Sequence, residues 1–297
     1  MKKIILFISV LLPITLLAQS KVMTPELLWS LGRLSVEGVS PNHQSLIYSV
    51  KTFNLKTEKS SDAFYFLNLK NNTSTPTAIF GKKEFVQWDK NGLYAREGEK
   101  LFKSIDEGKN WTVISSVLKD ADEIRISPDG AWIAYSKPVL VEKLLGKDLY
   151  PQYNKSTAQI YTDLNYRHWD RWSDGTVSHV FVASIHDPRV PAKDILGMEP
   201  YDCPQKPFGG KEDFIFSPDS KSVLYVCKKK AGKENAQSTN TDIYDYSIAN
   251  RATTDLTEGM MGYDVSPAYS PDGSKLAWLS MKTDGYESDK KELVVMD

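Results

Sequence analysis

One phrase recurs along this chain and limits what it can become: a Ser-Pro-Asp turn followed by a run of β-branched, aromatic and small residues. Ser127-Pro128-Asp129-Gly130 leads into WIAYS at 132–136. Pro128 presets φ at the first central position, Asp129 can bond its own backbone, and Gly130 takes positive φ without steric cost. The following run has the composition of a buried strand. Ser40-Pro41-Asn42-His43 precedes a similar run at 46–50, and Trp88-Asp89-Lys90-Asn91-Gly92 one at 93–95. Ser217-Pro218-Asp219-Ser220 and Ser270-Pro271-Asp272-Gly273 precede runs at 223–226 and 276–280. Second runs of strand character follow at 64–67, 101–104, 179–182, 243–246 and 293–295.

The turns recur every 40 to 50 residues or so, apart from one interval of about 90, which is the spacing of propeller blades. A helical reading fails because the apolar runs are short, rich in Tyr, Ile and Val, and bounded by turn residues. The repeats of a parallel β-helix are much shorter. The expected fold is all-β: a β-propeller of four-stranded blades, incomplete in this chain, with a short N-terminal helix and one long insertion. Each blade would cover its neighbour's faces radially. Lys plus Arg number 37 against 38 for Asp plus Glu. That balance argues against a nucleic-acid binder and against a polybasic membrane-surface protein.

Residues 1–18 read as a signal peptide: Lys2 and Lys3, an apolar run at 4–17, then the small Ala18. The run is shorter than the roughly 20 residues that a membrane span needs. An exported, periplasmic or secreted protein follows, with no membrane contact after signal removal and a propeller domain over 19–297. Thr24-Pro25 begins a short helix, with Leu27, Leu28 and Leu31 on one face to cover an end of the domain. Export permits a disulfide between Cys203 and Cys227, the two cysteines, although Cys227 in VLYVCKK is equally a small apolar filler.

The long interval is the least repetitive part, with Arg167, His168, Trp169 and Trp172 in a dense aromatic and charged run. Such a segment either packs on its own aromatics or reaches off the scaffold to a partner or substrate. No G-x-S-x-G elbow occurs. His43 reads as a turn residue, His168 as a packing or hydrogen-bonding residue, and His186 as a loop residue, while His179 heads a strand. Without H-E-x-x-H, paired CxxC, EF-hand or phosphate-loop patterns, no metal or other cofactor is expected. Glu199, Asp202, Glu212 and Asp213 flank a proline-rich segment around Tyr201 and Phe208. Carboxylates in such a setting can hold a cationic amine; the bland alternative is solvated loop charge.

The segments KDLYPQYNKSTAQIYTDLNYRHWDRW, GMEPYDCPQKPFGGKEDFIFSPD, STNTDIY and EGMMGYDVSPAYSPDGSKLAWLSMKTDGYESD resemble exported serine peptidases of the prolyl oligopeptidase family, of the dipeptidyl-peptidase V or acylaminoacyl-peptidase-like type of Bacteroidetes. The resemblance runs from about Thr24 to Asp297. It implies an N-terminal propeller and a C-terminal α/β-hydrolase domain carrying Ser, Asp and His; that domain and further blades lie outside these residues. No residue here receives a triad role, and the chain alone is expected to be inactive. The implied function is a propeller that gates and recognises short peptides with a free amino terminus for hydrolysis. The four carboxylates are candidates for the amine, and the run from Arg167 to Trp172 for interdomain, homodimer or substrate contact. The rival is a stand-alone binding propeller, as TolB-like proteins are. An incomplete ring should also expose an unpaired strand edge and be poorly soluble.

Overall fold

A computed structural model describes residues 22–115, 118–164, 166–187 and 189–297. The signal-peptide expectation for 1–18 lies outside the described residues. Four Ser-Pro turns are built by the same bonds. Ser127 Oγ donates to Asp129 Oδ1 at 2.5 Å and accepts from Trp132 N at 2.9 Å, while Ala131 N donates to Asp129 Oδ1 at 2.9 Å. The turns at Ser40, Ser217 and Ser270 repeat the pattern with Asn42, Asp219 and Asp272. The fourth residue of each turn is left-handed: His43 (φ 55°), Gly130 (φ 74°), Ser220 (φ 62°) and Gly273 (φ 74°). His43 is thus a turn residue. Each turn reverses the chain into the second strand of a blade.

Helix α1 (Pro25–Ser30) is capped by Thr24, whose Oγ1 accepts from Leu27 N at 3.1 Å. Its leucine face docks only in part: Leu27 is half-buried while Leu28 and Leu31 stay exposed, and Trp29 packs edge-on against Phe53 with Arg33 over both rings. The first antiparallel sheet is β1 (Arg33–Val39), β2 (Ser45–Asn54), β3 (Lys59–Asn68) and β4 (Thr73–Thr77). The second is β5 (Glu84–Asp89), β6 (Gly92–Glu97), β7 (Lys100–Ser104) and β8 (Thr112–Ser115). The third begins with β9 (Ile124–Ile126) and β10 (Trp132–Leu140). After helix α2 (Gly146–Leu149) and a two-stranded ribbon of β11 (Arg167–His168) and β12 (Arg171–Trp172), it resumes with β13 (Thr176–Ser184) and β14 (Lys193–Asp194). The fourth is β15 (Phe214–Phe216), β16 (Ser222–Cys227), β17 (Asp242–Ser247) and β18 (Thr253–Asp255), with helix α3 (Gly232–Gln237) between β16 and β17. The fifth, among the described residues, has three strands: β19 (Asp264–Tyr269), β20 (Leu276–Ser280) and β21 (Glu292–Met296).

The sheets are blades of a β-propeller. Their first strands touch in order, β1 with β5, β5 with β9, β9 with β15 and β15 with β19, and so converge on one axis. Side chains alternate between the two faces of a strand, and both faces of a middle blade are buried. Along β10, Ile133 and Tyr135 pack toward the second blade while Ala134 packs toward the fourth. Along β16, Val223, Tyr225 and Cys227 face the third blade, and Leu224 and Val226 the fifth. That is why these strands read as continuous apolar runs. Each large side chain so buried contributes about 1.5–3 kcal/mol.

The interval of about 90 residues therefore holds one blade with two excursions. The first leaves β10 and returns to β13, its base closed by Val141 N and Glu142 N donating to Gly175 O at 2.9 and 3.1 Å. The second is the loop from β14 to β15. On the outermost blades, Leu34 and Val36 of β1 and Leu293 and Val295 of β21 are exposed.

Candidate functional site

Inside the first excursion, Gly146 N and Ile160 N make a second tie, to Ala158 O and Leu144 O, at 2.7 and 2.8 Å. Beyond it the ribbon pairs Arg167 with Trp172 and His168 with Arg171. Trp172 stacks on Tyr166 and Tyr161, with centroids at 5.8 and 5.9 Å. Arg167 lies over Trp172 and donates Nε to Trp169 O at 2.8 Å, which holds Trp169 at the tip with φ 53°. The ribbon thus packs on its own aromatics and still projects: Trp169 is 65% exposed and Trp172 52%. Trp169 meets Phe208 edge-on at 5.0 Å, joining the ribbon to the second loop. His168 is exposed and packs against Trp169.

The four carboxylates of that second loop divide into two pairs. Glu199 and Asp202 lie on the side of the buried Cys227, where their charges help to raise its thiol pKa, burial being the main cause. Glu199 holds Lys229 Nζ at 2.8 Å, and that ammonium sits 4.0 Å from the ring centroid of Tyr244. Asp202 Oδ1 accepts from Ser178 N at 2.7 Å and Lys206 Nζ at 3.0 Å. Tyr201 packs half-buried against the core between the third and fourth blades. Cys203 and Cys227 are free, buried thiols donating to Asp213 O and Asp202 O.

Glu212 and Asp213 lie in a tight turn before β15 and point opposite ways. Asp213 is 4% exposed and its Oδ2 accepts from Gln205 N at 2.8 Å. A Cβ on Gly209 would collide with that oxygen and with the Gln205 backbone, so only glycine lets the loop close over the carboxylate. Burial pushes the Asp213 carboxyl up to about 6, against the Gln205 bond and with a further rise from Glu212. Glu212 is exposed, and the hydrogen bond it makes is from Gly210 N to Oε1 at 3.1 Å. Of the four it is the carboxylate left open to solvent without a lysine on it. His179 is fully buried rather than poised: Nδ1 lies 2.8 Å from Asp194 Oδ2 and Nε2 2.9 Å from Glu199 O. It fixes the start of the loop.

Residues that the repeat pattern mostly does not single out meet on the axis. A cleft of about 390 Å³ is lined by Glu37 of β1, Phe85, Gln87 and Trp88 of β5, Arg125 of β9, Lys211 of the turn before β15 and Phe216 of β15, among others. Gln87 bridges β5 to β9, its Nε2 donating to Ile126 O and its Oε1 accepting from Ile126 N, both at 3.0 Å. Arg125 reaches across to the fourth blade, donating Nε and Nη2 to Lys211 O at 2.9 and 2.7 Å. The cleft therefore places charged and apolar groups of four blades, including the turn that carries Glu212, around one space.

No family model matches the chain. Dipeptidyl-peptidase 5 of Porphyromonas gingivalis is 36% identical over 291 residues, which cover 93% of this chain and 41% of that protein. Dipeptidyl-peptidase 5 of Porphyromonas endodontalis is 34% identical over 288 residues, covering 94% and 41%. The acylaminoacyl peptidase of Pyrococcus horikoshii matches with a TM-score of 0.59 over 90% of this chain and 38% of that one; at 12% identity the likeness is one of fold. The chain spans about two fifths of the length of the curated relatives it matches. In sequence the chain is similar to these dipeptidyl-peptidase 5 proteins along nearly its whole length, and in fold to the acylaminoacyl peptidase.

Proposed function

We propose that this chain is the substrate-recognising propeller of an exported serine dipeptidyl-peptidase, gating and binding short peptides by their free amino terminus. The observation that carries the proposal is the match over 93% of the chain to a relative named dipeptidyl-peptidase 5. The reacting serine, with its Asp and His, is assigned to sequence other than these 297 residues, in keeping with the greater length of the relatives. The pairing of Glu199 with Lys229 over Tyr244 illustrates the chemistry on offer: a primary ammonium held by a carboxylate beside an aromatic face. Glu199 and Asp202 already hold lysines and Asp213 is enclosed, so Glu212 is proposed to receive the substrate amine. The exposed Trp169 and Phe208 would border the approach to the loop.

Hydrolysis of dipeptidyl anilides, with and without an N-acetyl block, tests this in the protein that includes the hydrolase portion. Losing a hydrogen bond to a charged group, Glu212→Gln should raise KM for the free-amine substrate about 10- to 100-fold. It should leave the blocked substrate unchanged. Equal turnover of free and blocked substrates would overturn amine recognition. Hydrolysis by the 297-residue chain alone would overturn the placement of the nucleophile elsewhere.

A further inference from the structure

We infer that the axial cleft is a binding site for the free C-terminal carboxylate of a peptide, received by Arg125 and Lys211. The proposal goes beyond amine recognition and does not depend on it. Arg125 sits on β9 between two buried isoleucines, Ile124 and Ile126. Two backbone carbonyls fix its guanidinium: Lys211 O accepts from Nε and Nη2, and Phe214 O accepts from Nε at 3.1 Å. Among the described residues Nη1 has no hydrogen-bond partner, and Arg125 forms no ion pair. Arg96 and Arg189, by contrast, each hold a carboxylate, on Glu84 and Asp187. Arg125 is thus a partly buried cation, braced in one orientation, with no side-chain carboxylate paired to it among the described residues. Burial lowers its pKa, with Glu212 and Glu123 acting the other way.

The acids that line the same cleft are already engaged. Glu37 Oε1 accepts from Ser49 Oγ at 2.5 Å, and Asp89 accepts from Gln87 Nε2 and Asn91 N, both at 2.7 Å. Lys211, exposed at the cleft, makes no ion pair among the described residues. A planar guanidinium suits a carboxylate, which it can take through two parallel donors. The remaining lining favours an organic acid over an inorganic anion: Phe85, Trp88 and Phe216 offer apolar surface beside the cations. A volume of about 390 Å³ suits a short peptide end.

The test is calorimetric titration of the chain with N-acetyl-Ala-Phe and with its C-terminal amide. Both probes have blocked amines, so failure here is separate from failure of amine recognition. The acid is expected to bind at least about tenfold tighter than the amide, as one charge-assisted contact provides. Lys211→Gln at the exposed position should weaken the acid several-fold while leaving the melting temperature unchanged, and Arg125→Lys should weaken it further by removing the fork. Equal affinity for acid and amide, binding of neither, or insensitivity to both substitutions overturns the proposal. Displacement of the acid by inorganic phosphate at equal affinity overturns the peptide assignment in favour of a general anion site.

Discussion

Replacing Asp213 by asparagine should stabilise this protein at neutral pH and not in mild acid. The carboxyl has an ordinary value of 3.8 and is pushed up to about 6 in the fold, chiefly by burial. Between those values the folded chain keeps a proton that the unfolded chain has released. Stability therefore falls as pH rises through that window and is level above it. At about 1.36 kcal/mol per pH unit, the loss at pH 7 is about 3 kcal/mol. The substituted amide would carry no charge to desolvate, and its Oδ1 would still accept from Gln205 N. The value of about 6 is already net of the charge-assisted part of that bond. The gain is therefore up to about 3 kcal/mol near pH 7.5, or roughly 6–12 °C in Tm for a chain of this size. Urea denaturation of wild type and Asp213→Asn across pH 4 to 7.5 reads it directly. The difference should be greatest at the top of the range and vanish near pH 4. A variant that loses equal stability at every pH would refute the reasoning, because it would mean that burial and the Gln205 bond cancel and folding does not shift the carboxyl.

The turn chemistry predicts that Ser220→Ala costs about 1 kcal/mol, through loss of the Asp129 N to Ser220 Oγ bond of 3.1 Å, with the left-handed strain retained. Ser220→Gly should come out near wild type because it relieves that strain as it loses the bond, so equal denaturation midpoints for the two variants would count against the account. Burial raises both cysteine pKa values, so an aromatic disulfide reagent should find no reactive thiol in the folded chain and two after denaturation; a fast native reaction, or none after denaturation, contradicts it. Trp169 and Phe208 support each other, so either alanine substitution should speed tryptic cleavage at Arg171, and the double variant should be cut no faster than the worse single one. Additive rates would show that the ribbon and loop are independent.

Much of this architecture is legible in the sequence because it is local. The Ser-Pro-Asp turns fix their own geometry within six residues or so, and the continuous apolar runs after them follow from strands buried on both faces. The site is legible only in part. Glu212 and Asp213 are adjacent in sequence yet face solvent and core, because a tight turn separates them. The leucines of α1 suggest a buried stripe, whereas only Leu27 of the three is half-buried and Trp29 makes the aromatic contact. Glu37, Gln87 and Arg125 lie on first strands about one blade apart and share a cleft only through the convergence of those strands. No short window of sequence carries that information.

The rim where the turns meet has a consequence for how such a molecule is assembled. Asn91 Nδ2 of the second blade donates to Pro128 O of the third at 2.9 Å, and Asp129 N of the third donates to Ser220 Oγ of the fourth. Gly273 of the fifth lies against Pro218 of the fourth, where an added Cβ would come within 3.1 Å. The turn of the third blade thus shapes its own hairpin, offers a carbonyl to the blade before it and donates to the blade after it. A copied blade would arrive with both halves of its joint already encoded, so a ring of this kind can grow by duplication without inventing a new connector.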